Sequence, residues 1–206
     1  MNLFARNFIC ILDCKMNEKY AYHIISENFV GNIIYPLSEL KNIHPEIANK
    51  AAEKYIGREK NVENIVYNPD VHINFDWGKD IVRWNDVSFF TLHNPKRVFE
   101  TFKELNIPIK KKWRVAKIPI QNFSKRTIVW KHTDNFTNVL PSTDCQSIND
   151  FFELTDLNVI PQKAKDYYLQ AYKLGKQPLL YAYIPHLLTP DPVSFNESDI
   201  FEIDLG

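Results

Sequence analysis

His93, His132, Asp86 and Arg58 are the residues of this chain whose types could do chemistry together. An imidazole moves protons near neutral pH, a carboxylate orients it, and an arginine holds a phosphate or carboxylate through paired hydrogen bonds. Their settings fit that work. His93 stands at the end of an apolar run before a helix start, and Asp86 follows Asn85 in a bend. Arg58-Glu59 comes just after Gly57, and His132 with Asp134 follows the run that closes at Trp130. Taken as a set they describe a small hydrolase or transferase acting on a phosphate-bearing substrate. Each has a plainer reading too: a solvated helix end, a turn, or a loop imidazole bonded to backbone.

A second set of polar residues lies on a stiffer scaffold. In Val71–Asn85, VHINFDWGKDIVRWN, Gly78-Lys79 is a Gly-X pair suited to a two-residue type II′ turn. That turn pairs Trp77 with Asp80, Phe75 with Val82, Asn74 with Arg83, Ile73 with Trp84 and His72 with Asn85. Because side chains alternate along a strand, one face then carries Ile73, Phe75, Trp77, Val82 and Trp84. The other carries His72, Asn74, Asp76, Arg83 and Asn85, a rigid recognition surface holding an imidazole, a carboxylate and a guanidinium. The plain alternative is the solvated outer face of an amphipathic sheet.

Other chemistries find less support. The six histidines (His23, His44, His72, His93, His132 and His186) include no pair at a common zinc spacing, so no metal is expected. Cys10, Cys14 and Cys145 form neither an even disulfide set nor a CxxC pair, which predicts reduced thiols in a cytoplasmic protein. Five glycines leave no GxGxxG, no GxxxxGK[ST] and no GxSxG, so no cofactor or glycine-rich nucleotide cradle is expected. Lys110-Lys111-Lys112 beside Trp113 and Arg114 is the one basic run. With a formal net charge of zero, it reads as solvated surface rather than a nucleic-acid site. No apolar run is long enough to span a bilayer.

The elements that must position these residues follow from periodicity and punctuation. Leu3–Leu12, Lys19–Ile25 and Phe29–Tyr35 read as strands, and Pro45 opens a helix whose buried side starts with Ile47 and Ala48. Val87–Leu92 reads as a strand, and Asn94-Pro95 starts a helix with the stripe Val98, Phe99, Phe102 and Leu105. Trp113–Ile120 and Thr127–Trp130 are strands, and Phe136–Cys145 is a loop. Ser147 caps a short helix through Leu154. Pro161 opens a longer one that buries Ala164, Tyr167, Tyr168, Ala171 and Tyr172 and ends at Gly175. Leu179–Ile184 and Ile200–Ile203 are the last strands, joined by the proline-punctuated PHLLTPDPVS.

At 206 residues and 45% hydrophobic, with no repeat and no long polar linker, the chain reads as one α+β domain over 1–206 with a mainly antiparallel sheet. The function expected is binding another macromolecule, a protein, in the manner of an inhibitor or immunity-type partner. His72, Asn74, Asp76, Arg83 and Asn85 would form the binding surface. The rival is the phosphate-directed enzyme built on His93, His132, Asp86 and Arg58.

Overall fold

Along YAYHII, Tyr20, Tyr22 and Ile24 alternate with Ala21, His23 and Ile25, and this makes β1 (Tyr20–Ile25) a strand with two working faces. The computed structural model describes residues 19–27, 29, 31–49, 66–67, 82–83, 86–131, 139–140, 145–154 and 156–206. Within these, β1 runs antiparallel to β6 (Lys112–Pro119), with Tyr22 opposite Lys117 and Ile24 opposite Val115. Its other neighbour is β5 (Ser88–Thr91), registered through Tyr22 and Thr91. Adding β7 (Ile128–Trp130), β9 (Cys145–Ser147), β10 (His186–Thr189) and β12 (Ile200–Asp204) gives a seven-stranded sheet in the order β12-β6-β1-β5-β10-β7-β9. Every neighbouring pair in it is antiparallel. Two small sheets accompany it: β2 (Ile33–Ile34) with β11 (Val193–Ser194), and β4 (Val82–Arg83), β3 (Val66–Tyr67) and β8 (Val139–Leu140). The fold is α+β with a mainly antiparallel sheet.

Helices cover one face of the large sheet. In α2 (Pro95–Glu104), Val98, Phe99 and Phe102 fall on one side and are wholly buried. In α4 (Gln162–Lys173), Ala164 and Tyr168 do the same. These side chains pack on Val115 of β6 and Ile203 of β12, and Phe102 meets the Tyr168 ring at 4.5 Å between centroids. Burying rings of this size contributes roughly 1.5–3 kcal/mol each. The opposite face holds Ala21, Phe90, Ala116, Ile118, Val129 and Leu187. It is covered by Phe151 of α3 (Ile148–Leu154), by Ile34 and Val193 of the β2–β11 ribbon, and by Phe195 just after it. The sheet is therefore a middle layer, and its central strands are apolar on both faces.

Several expected elements sit as expected: the β1, β5, β6, β7 and β12 strands, the Asn94 cap, whose side chain accepts Lys96 N–H at 3.0 Å, and Ser147, whose hydroxyl accepts Asp150 N–H at 3.2 Å. Others need correction. Leu179–Ile184 is a turn, with Ala182 N–H on Leu179 O and Ile184 N–H on Tyr181 O. Tyr183 there takes a left-handed φ of 58°, which breaks an extended chain. The strand lies instead in the supposed connection, as β10. Pro185 and Pro190 stand just outside it, where a missing N–H removes no ladder bond, so the prolines delimit the strand without interrupting it.

Among the described residues Phe29–Tyr35 contributes the two-residue β2, and Phe136–Cys145 contains β8 and supplies the first residue of β9. A helix not expected from the sequence, α1 (Leu37–Ile43), begins directly after Pro36, ahead of the helical turn at 45–49. Ile47 of that turn and Tyr172 of α4 are largely exposed, against the expectation that both are buried. Leu3–Leu12, most of the Val71–Asn85 hairpin, and the helix beyond residue 49 lie outside the described residues.

A candidate recognition groove

Of the four residues of the catalytic set, Arg58 and His132 lie outside the described residues. Asp86 and His93 stand at opposite ends of β5, Asp86 before Ser88 and His93 after Thr91. His93 is 1% exposed. Its Nε2 lies 3.2 Å from the Val159 carbonyl oxygen, so that nitrogen carries the hydrogen. Its backbone N–H donates to Thr91 Oγ1. Burial holds its pKa below the ordinary imidazole value, against the raising influence of the Val159 carbonyl and of Asp156. This is a neutral imidazole built into the wall of the sheet, with only its Nδ1 lone pair to offer, and among the described residues that atom has no hydrogen-bond partner.

Of the binding set, His72, Asn74, Asp76 and Asn85 lie outside the described residues, and for Arg83 the backbone is described. That backbone is in β4, paired antiparallel with β3 so that Arg83 faces Val66 and Val82 faces Tyr67. Of the remaining described histidines, His44 is exposed beside Glu46 at 3.8 Å, and His23 and His186 pack among aromatic rings. His23 is half-buried beside the Phe90 ring, 5.2 Å between centroids. The His186 ring is surrounded by Trp130 at 5.3 Å and by Phe89 and Tyr181 at 6.3 Å. Among the described residues no group of three or more His, Cys, Asp or Glu side chains is placed to hold a metal ion. Cys145 is half-buried on β9, directly opposite Trp130.

The basic run at the start of β6 is engaged by the chain itself. Lys110 pairs with Glu27 at 2.6 Å, Lys112 with Asp204 at 3.8 Å, and Arg114 donates to the Ser26 and Glu27 carbonyls at 3.3 and 2.8 Å. Exposed pairs of this kind contribute little stability, but they leave fewer cations for a phosphate backbone.

Concave space is found elsewhere, at the end of the sheet where β1, β6 and the start of β12 meet the N-terminus of α2. Tyr20, Tyr22, Asn94, Lys117, Ser198, Asp199 and Phe201 line an open groove of about 430 Å³ there. The strand register explains its construction. Tyr22 and Lys117 are direct cross-strand neighbours, and Tyr20 lies two residues back on the same face. Lys117 Nζ sits 3.7 Å from the centroid of the Tyr20 ring. Phe201 opposes Val115, which puts it on the helix-covered face as well. Asp199 ends a single 3₁₀ turn (Glu197–Asp199), and its carboxylate accepts Asn196 N–H at 2.7 Å in a capping box.

Burial raises the Tyr22 pKa above the ordinary phenol value, so its hydroxyl stays protonated. The sequence reading missed this groove. Its signal was present as tyrosines two apart on β1 and a lysine at the matching position of β6, but the pairing of β1 with β6 is not visible from either strand alone.

Comparison with protein-family models, with curated proteins and with solved structures finds no match to this chain. Among the described residues no helix is long and apolar enough to cross a membrane.

Proposed function

We propose that this chain is a cytoplasmic protein-binding domain, acting as an inhibitor or immunity-type partner of another protein. The observation that carries the reading is the groove: open, lined by three aromatic rings, and edged with an amide, a hydroxyl, a cation and a carboxylate. Tyrosines on a rigid sheet give large contact area at low entropic cost, and such residues are enriched where proteins meet. An open trough of this kind suits a chain segment better than a small molecule, which is normally enclosed on most sides. The outer face of Val71–Asn85, with His72, Asn74, Asp76, Arg83 and Asn85, is the second surface assigned to the partner.

The phosphate-directed enzyme is the weaker reading, because a general base must reach its substrate and His93 is enclosed by its own core. Capture of a partner from native lysate, repeated with Arg83→Ala and Lys117→Gln, tests the proposal. Loss of a specific partner with either variant, at unchanged melting temperature, supports it. Recovery of no partner, together with phosphoester turnover that His93→Ala or His132→Ala abolishes, overturns it.

A further inference from the structure

The groove offers more donors than acceptors, and each donor has a structural reason. Asn94 Oδ1 is committed to Lys96 N–H, because only the carbonyl end of an amide can accept. The free end of this groove-lining side chain is therefore its Nδ2 amide. Lys117 rests on the Tyr20 ring, and among the described residues no carboxylate lies within 4 Å of its ammonium. The Tyr22 and Ser198 hydroxyls add two groups able to donate. The backbone of α2 adds none: Pro95 has no N–H, Lys96 N–H is capped, and Arg97 N–H is held by the Asn94 carbonyl at 2.9 Å. The first turn of α2 nevertheless carries Lys96 and Arg97 and no acidic residue, although the dipole favours the opposite sign there. Both share the single carboxylate of Glu100, at 4.0 and 3.3 Å. Among the described residues Asp199 is the one acid lining the groove, and its capping box explains it.

We propose that the groove receives an acidic segment of the protein partner. One aspartate or glutamate carboxylate sits between Lys117 Nζ and Asn94 Nδ2, and the segment's backbone runs over the Tyr20, Tyr22 and Phe201 rings. The assignment rests on the protein-binding reading above and names the chemistry of its contact. Lys117 leaves a cation–π contact for a charge-assisted hydrogen bond, the stronger of the two in a partly desolvated site.

The test is fluorescence anisotropy of a labelled hexaglutamate peptide with the full chain at low salt, with hexalysine as the control. Hexaglutamate should bind and hexalysine should not. Lys117→Gln and Asn94→Asp should each weaken binding by roughly tenfold, the loss expected when a charge-assisted bond is removed. Asn94→Asp keeps the helix cap, so its melting temperature should hold while binding falls. Asp199→Asn, which preserves an acceptor for Asn196, should tighten binding. Preference for hexalysine, or weakening by Asp199→Asn, would assign the groove to a cation and overturn the proposal. Hexaglutamate binding indifferent to all three variants overturns it as well. A partner captured from lysate that depends on Arg83 and ignores Lys117→Gln would sink the groove assignment alone and leave the protein-binding reading standing.

Discussion

His23 ties β1 to Phe89 of β5 with its side chain, Nδ1 lying 2.7 Å from the Phe89 carbonyl oxygen where the two strands share a single registered backbone pair, Tyr22 with Thr91. The imidazole supplies a cross-strand bond that a longer ladder would have made from backbone. Nδ1 must carry the hydrogen to do so.

Desolvation by the surrounding strands lowers the His23 pKa, outweighing the raising effect of the Phe89 bond. His93 is lowered for the same first reason. In the unfolded chain both titrate near about 6.5. With folded values below that, the unfolded state binds more protons as pH falls, so the stability these groups contribute is present above about pH 6.5 and lost below it. The melting temperature should be flat from pH 8 to 7 and drop toward pH 5. His23→Asn, which keeps a donor near Nδ1 and does not titrate, should lower the plateau yet flatten the acid slope. An unchanged slope in that variant would show that His23 is not the group responsible.

Tyr168 tests the join between α4 and the turn after it. Its hydroxyl donates to the Leu180 carbonyl at 2.5 Å from a fully buried position. Tyr168→Phe keeps the ring and strands that carbonyl, for an expected loss of about 1–3 kcal/mol in denaturant unfolding. Tyr168→Ala should cost about 3–5 kcal/mol.

The reassignment of the late strand gives a sharp contrast between two leucines. Leu188 of β10 is fully buried and Leu179 is 48% exposed. Leu188→Ala should destabilise by about 2–5 kcal/mol, and Leu179→Ala by about 0.5 kcal/mol or less. Equal effects would return the strand to Leu179–Ile184.

Gly175 follows α4 with φ of 71°, and a Cβ placed there meets nothing within 4 Å. Gly175→Ala therefore isolates backbone strain from packing, and should cost about 1–2 kcal/mol. Gly175→Asn should recover part of it, since asparagine tolerates the left-handed region.

What was legible in the sequence was local. Asn94 followed by Pro95, the Val98–Phe102 stripe and the Lys19–Ile25 and Trp113–Ile120 runs each write their structure into neighbouring residues, and each formed as read. What was not legible depended on distant chain. HLLT is too short to announce itself, and its prolines resemble loop punctuation until β5 and β7 are seen to need a partner between them. Exposed Tyr172 and buried Tyr168 lie on the same side of α4, one turn apart, and the sequence does not say where the covering chain ends. The groove was hidden for the same reason. Asn94, Lys117 and Asp199 are far apart in sequence, and only the register of β1, β6 and β12 gathers them. Residue type was visible in the sequence and enclosure was not, as the burial of His93 illustrates.

The place of β10 has a consequence for how the molecule is made. Its hydrogen bonds join β5 to β7, yet it is residues 186–189 of a 206-residue chain. A ribosome delivers β1, β5, β6, β7 and β9 long before the piece that unites them. Until it emerges, the facing edges of β5 and β7 are open to any strand that comes near, including one from a neighbouring nascent chain. Truncation before Pro185 would leave two part-sheets with no bond between them through β10.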